Sequence, residues 1–239
     1  GVTGKEGAAG VFFARGDAGP GMALRLEGDT GQGVTVTKVP DALESDLLTV
    51  AGVDHLAQED GRRLSWSGKG EATAALQSHT ALDLQRESNG DLMLLTTLRV
   101  ESAPRSEAWL AVGCGAGCSA RIALTPTLAK LPVGQWTRVG VPLKCLAAAG
   151  ADVGKLDRPW SIGTAGAMTL SVSRVALGEL NEAETCFAAE RIHPGMQTVD
   201  QIAIVGVVHL RPVQCDRGHA TAVDCPEDRV VAHLQSAFR

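Results

Sequence analysis

Tyrosine is absent from this 239-residue chain, and the other aromatics are four Phe and four Trp, 3% of the sequence. Carbohydrate faces usually stack pyranose rings on Trp or Tyr, so this scarcity limits any independent sugar site. Cationic residues are outnumbered as well: 22 Lys and Arg against 27 Asp and Glu give a net charge of -5 and a pI near 5.7. Without a basic field there is nothing to attract phosphate backbones or anionic lipid, so neither nucleic acid nor a membrane is expected as a partner. No apolar run reaches the roughly 20 residues of a membrane helix. The chain opens at Gly1 with no Met and no signal-peptide pattern, which suggests a processed chain or a fragment. Six cysteines, at 114, 118, 145, 186, 215 and 225, are too few for a disulfide scaffold but suffice for one or two bridges in an oxidising compartment. Glycine-rich phosphate loops and supported Ser/His/Asp or Cys/His arrangements are missing too.

What remains reads as an all-β domain. Hydrophobic content is 44%, enough for a proper core. Short strand-like runs recur, VFFAR (11–15), MALRLE (22–27), VTVTKV (34–39), LLTVAGV (47–53), RRLSWSG (62–68), ATAALQS (72–78) and AWLAVG (108–113), with Gly/Asp/Pro turns among them. The most informative stretch is DLQRESNGDLMLLTTLRV (83–100). Leu92, Leu94, Thr96, Leu98 and Val100 face one way and Met93, Leu95, Thr97 and Arg99 the other, so a long strand should cross the core behind a charged RESNGD turn. Helical turns are expected at TPTLAKLP, with Thr125 as N-cap, and at PLKCLAAAG, stopped by Gly150. WTRV (136–139) and MTLSVSRVAL (168–177) supply further strands. In the second the apolar parity jumps, which predicts a bulge at Ser173 or Arg174. This spacing suits a β-sandwich or jelly roll, domain 1–178, followed by a short mixed α/β extension, 179–239.

Four stretches, QEDGRRLSWSG (58–68), DLQRESNGDLMLL (83–95), LPVGQWTRVGVPLKCLAAAGAD (131–152) and TAGAMTLSVSRVAL (164–177), carry a resemblance. In order and spacing the chain from about residue 11 to 177 resembles the C-terminal galactose-binding-like β-sandwich domain of bacterial family 3 glycoside hydrolases of the exo-β-1,3/1,4-glucanase and β-glucosidase type. The resemblance implies a jelly roll, an exported parent enzyme in the periplasm or outside the cell, and a β-glucan or cello-oligosaccharide substrate. It places the catalytic carboxylates in upstream domains. The expected role is therefore a noncatalytic accessory domain packed on the catalytic domains of the parent, and the alternative is an autonomous carbohydrate-binding module for β-glucans.

Candidate contacts fall in two places. Arg86, Glu87, Asn89 and Asp91 of the RESNGD turn are expected to shape the turn, bridge to the catalytic domains or touch sugar hydroxyls, with calcium a further candidate because hard oxygens cluster there. Glu59, Asp60 and Arg62 precede Trp66, which is either a core side chain, the commoner fate in an alternating strand, or a sugar platform. Trp136, paired in pattern with Arg138, reads as a packing residue, and His55 and His79 as polar residues at a sheet edge. Cys114, Cys118 and Cys145 lack the second close pair that zinc would want, so a disulfide between two of them is expected, leaving one free. His209, Cys215, His219 and Cys225 have an incidental, loosely metal-like spacing.

Overall fold

The computed structural model describes residues 10–179 and the backbone of 188–191 and 200–201. All of these belong to one unit, Gly1–Val207. The order of elements runs β1 (Val11–Ala14), β2 (Asp17–Ala18), β3 (Met22–Gly28), β4 (Gly33–Thr35), β5 (Asp41–Ala42), β6 (Leu48–Val53), β7 (Gly61–Ser67) and β8 (Ala72–Ser78). There follow α1 (Gln85–Asn89), β9 (Met93–Ser102), β10 (Ala108–Gly113), β11 (Ser119–Ala123), α2 (Thr125–Leu128), β12 (Trp136–Pro142) and α3 (Leu143–Ala148). Last come β13 (Arg158–Thr164), β14 (Ala167–Gly178), β15 (Ala188–Arg191) and β16 (Asp200–Gln201). Among the described residues no helix is long and apolar enough to cross a membrane.

The strands form two antiparallel sheets. Sheet A has the order β16-β15-β12-β9-β14-β7-β6-β5, with the β1–β2 hairpin joined to β14; sheet B has the order β11-β10-β13-β8-β3-β4. Leu64, Trp66, Leu94, Leu98, Val139, Val141 and Leu170 from sheet A meet Leu26, Leu76, Leu110, Trp160 and Ile162 from sheet B in one core. That is the jelly-roll sandwich the alternation predicts. β9 lies between β12 and β14, in the middle of its sheet. β14 pairs with β7 over 167–172 and with β1 over 174–176, and its register against β9 shifts between Val172 and Arg174, where the bulge is expected.

Several local expectations need correction. RESNGD is a short helix leading to a tight bend, with Asp91 at φ 58°. Leu84 and Ser88, four apart, are both buried, and the Ser88 amide donates to the Leu84 carbonyl, so a helical turn seats both. Thr125 is not an N-cap: its hydroxyl accepts the Ala108 amide at 2.7 Å and ties α2 to β10. β11 and β13 are strands that the alternation did not reveal. Cys114 and Cys118 form a disulfide and Cys145 is disulfide-bonded as well, so the expectation that one of the three stays free is corrected. The extension 179–239 lies outside the described residues except for β15 and β16, and so do His209, Cys215, His219 and Cys225.

Candidate functional site

Strand parity decides which side chains reach the outer face of sheet A. Thr137, Val139 and Val141 of β12 point into the sandwich, which puts Trp136 and Arg138 outside. Register places Trp136 directly across from Arg99 on β9, and Arg99 across from Ser171 on β14 and thence Arg63 on β7. The Trp136 ring is half-buried. Arg99 Cζ lies 5.0 Å from its centroid, and the His55 ring packs on it at 4.3 Å between centroids, tilted by 35°.

His55 arrives on the loop between β6 and β7, and Asp60 holds that loop in shape. The Asp60 carboxylate accepts the amides of His55 at 2.7 Å, Leu56 at 2.9 Å and Ala57 at 3.0 Å. Burial raises the Asp60 pKa, but the three amides outweigh it and the net shift is downward. The His55 pKa is lowered, chiefly by burial and further by Arg99, with Asp60 opposing; the ring is neutral at pH 7. Asp60→Ala is expected to cost about 1–2 kcal/mol, the desolvation penalty of orphaned amides, and to raise hydrogen exchange at residues 55–57 selectively.

Beneath the rings lies an ionic cluster. Glu101 takes Arg99 Nη2 at 2.7 Å, the Ser171 hydroxyl at 2.5 Å and a longer contact from Arg63 Nε at 3.8 Å. Burial raises its pKa, yet the Ser171 hydrogen bond, Arg99 and Arg63 together leave it below the ordinary 4.5. A depressed folded pKa contributes stability that is fully present above 4.5 and disappears as pH falls through the folded value. Glu101→Gln should therefore cost about 1–2 kcal/mol at pH 7, with the gap to wild type narrowing below pH 4.5 in urea titrations. A group held ionised in this way is the opposite of a general acid, which needs a raised pKa. Every resolved carboxyl shift among the described residues, at Asp60, Glu101 and Asp152, is downward.

Two exposed apolar side chains lie close in sequence to the stacked rings. Leu56, next to His55, is 85% exposed, and Val133, three residues before Trp136, is 63% exposed; they are the large exposed hydrophobics among the described residues.

The residues singled out from sequence lie elsewhere, or do other work. Trp66 is 3% exposed and donates Nε1 to the Ala72 carbonyl at 2.9 Å, so it is a core side chain and no sugar platform. Asp60 shapes the loop, and Glu59, at φ 52°, sits on the same loop with its amide on Asp54. Arg62 shares the parity of Leu64 and Trp66 and is largely buried behind the β1–β2 hairpin. On α1, Arg86 and Asn89 are exposed and Glu87 is half-buried with Oε2 unpartnered; Asp91 pairs with Lys144 at 3.1 Å. Among the described residues no three His, Cys, Asp or Glu side chains are placed to hold a metal ion. Trp136, His55, Arg99, Glu101 and Arg63 were not foreseen as a site, although β12 parity already set Trp136 beside Arg138 and apart from the valines.

The two packed sheets and their β-strand order define a galactose-binding-like β-sandwich. The chain belongs to the Exop_C family of galactose-binding domain-like modules, whose profile matches residues 25–177. Among solved structures it is similar to the exo-1,3/1,4-β-glucanase ExoP of a Pseudoalteromonas species, with 20% identity and a TM-score of 0.60 over 73% of this chain. It spans only 21% of that enzyme. The extra C-terminal domain of ExoP solved alone matches at 20% identity and a TM-score of 0.59, covering 73% of this chain and 95% of the domain. The family 30 carbohydrate-binding module of a Clostridium thermocellum cellulosomal cellulase follows at 14% identity and a TM-score of 0.50, covering 72% and 98%. No curated protein sequence matches.

Proposed function

We propose that the chain is a noncatalytic accessory domain of an exported family 3 glycoside hydrolase acting on β-glucan, seated against the catalytic domains through the outer face of sheet A. The observation that carries this reading is the exposure of Leu56 and Val133, each close in sequence to one member of the His55–Trp136 stack. Exposed apolar side chains together with an aromatic ring and a partly exposed ionic cluster have the composition of a protein interface, with an apolar anchor and a polar surround. ExoP, which has such a domain after its catalytic part, supports the context. Bonded cysteines at 114, 118 and 145 suit an oxidising compartment.

The second reading, an autonomous β-glucan-binding module, has the likeness to the family 30 module in its favour. Against it stands the state of the rings. Phe12, Phe13, Trp66, Trp109 and Trp160 are each no more than 5% exposed, and Trp136 already carries His55 and Arg99. Joined to its catalytic domains, the chain should show slower hydrogen exchange at 54–57 and 132–136 than it shows alone, and the Leu56→Asp, Val133→Asp double variant should abolish that difference. Saturable calorimetric binding of laminari- or cello-oligosaccharides by the chain alone, lost in Trp136→Ala, would instead establish the module.

A further inference from the structure

Arg62 is a charged residue in a core position. Its neighbours of the same parity, Leu64 and Trp66, are buried core side chains, and its own side chain is only 12% exposed. The guanidinium is satisfied along one side alone. Nη1 donates to the Glu59 carbonyl at 3.0 Å and to the Gly61 carbonyl at 2.9 Å. Nη2 has only a 3.8 Å approach from Asp17, too long for a hydrogen bond, and Nε has no acceptor among the described residues. Nε and Nη2 form the edge that takes a carboxylate side-on with two parallel hydrogen bonds. Gly16, at φ 77°, lets the β1–β2 hairpin close over the head group, because a Cβ there would stand 2.6 Å from Nη1.

The same residue lines a groove of about 510 Å3 between the hairpin, β3 and the segment after β4. One wall is apolar, from Met22, Leu24, Val36 and Val39. Lys38 and Thr37 stand exposed at the rim, and Lys38 makes no ion pair among the described residues. The volume lies in the range of small-molecule sites. No aromatic ring lines it, which disfavours a neutral pyranose held by stacking.

We infer that this groove binds a small carboxylate with an apolar or sugar-ring body, its carboxyl group on the open edge of Arg62 and near Lys38. A phosphate dianion fits less well. Asp17, 87% exposed, is close enough to repel a second negative charge and leaves room for a single one. This site is separate from the outer face of sheet A and does not depend on the docking proposed for it.

The test is calorimetric titration of the whole chain with glucuronate, butyrate and, as the neutral counterpart, glucose. Saturable binding of glucuronate or butyrate is expected, about tenfold or more tighter than glucose, since one charge-assisted bidentate pair separates them. Which of the two acids binds better tells a sugar acid from a simple aliphatic one. Lys38→Ala should weaken the binding and Asp17→Asn should strengthen it, each by roughly two- to fivefold as for partly exposed charges. Both positions are exposed, so the fold is not at risk. Arg62→Lys, checked for folding by circular dichroism, should lose about tenfold because the fork geometry is gone. No saturable binding of either acid at about 10 mM, a weaker affinity than any chemical selectivity could use, overturns the proposal. Equal affinity for glucose, or affinity unchanged in both surface variants, overturns it too.

Discussion

Trp160→Ala should lose about 3–5 kcal/mol of unfolding free energy, the range for deleting a large buried ring that leaves a cavity. Trp160 stands on β13 of sheet B, 1% exposed, and its Nε1 donates to Thr96 Oγ1 at 3.0 Å on β9 of sheet A. The indole therefore does two things at once. It fills the space between the sheets, beside Leu64, Val172 and Val175, and it bonds one sheet to the other. Trp160→Phe separates these contributions: most of the volume stays, the Thr96 hydroxyl is orphaned, and the loss should fall to about 1–3 kcal/mol. Adding Thr96→Val to Trp160→Phe should recover part of that loss, because a buried hydroxyl without a partner is then gone. Urea titration of the three variants measures all of this. Equal losses for Ala and Phe would mean that the cross-sheet hydrogen bond, and not the filled volume, dominates.

Gly163→Val should cost about 3 kcal/mol, the upper end for overpacking. The position is on the outer face of sheet B, where a Gly-to-Val change would ordinarily favour a strand. Here a Cβ would meet Thr73 Oγ1 at 2.6 Å and the Trp109 ring at 2.7 Å. Trp109 pairs across from Gly163 and is only 5% exposed although it points away from the core. Arg121 covers its other side, with Cζ 3.8 Å from the ring centroid and an ion pair to Glu71 at 3.6 Å. The ring lies in a slot between glycine and arginine that a valine would close. Thermal unfolding measures the loss, and a rise in Trp fluorescence exposure to iodide should accompany it. Wild-type stability in Gly163→Val would show that the slot yields easily.

How far the sequence could be read depended on whether one strand's alternation was enough. The sandwich, the long β9 and the bulge in β14 followed from period-two patterns inside single segments. β13, RPWSIGT, was hard to read as a strand, because its outward positions hold Ser161 and Gly163, the glycine kept small by the Trp109 ring on the next strand. The α1 turn was hidden in the same way, since only two buried positions, Leu84 and Ser88, mark it. The candidate site was harder still. Trp136, Arg99, Ser171 and Arg63 are brought into one row by register across four strands, information that no local window contains. Arg62 shows the converse. Its parity with Leu64 and Trp66 was legible, and it already marked a charge set on the core side, although the proximity of carboxylates drew attention to the surface instead.

β14 is the strand that joins the earliest part of the domain to the rest. It accepts β9 along one side and, on the other, β7 and then β1, so that Val11 is paired with Ala176. During synthesis, therefore, a ribosome must have passed residue 178 before the N-terminal hairpin has a sheet edge to join, and until then β7 and β9 lack the strand that separates them. Nearly the whole domain must wait exposed for one of its last strands, which makes slow folding and a need for chaperones the natural consequence of this connectivity. A nascent chain arrested at residue 160 should be as sensitive to protease as an unfolded one, and one extended past 178, with the ribosome tunnel cleared, should become resistant in a single step.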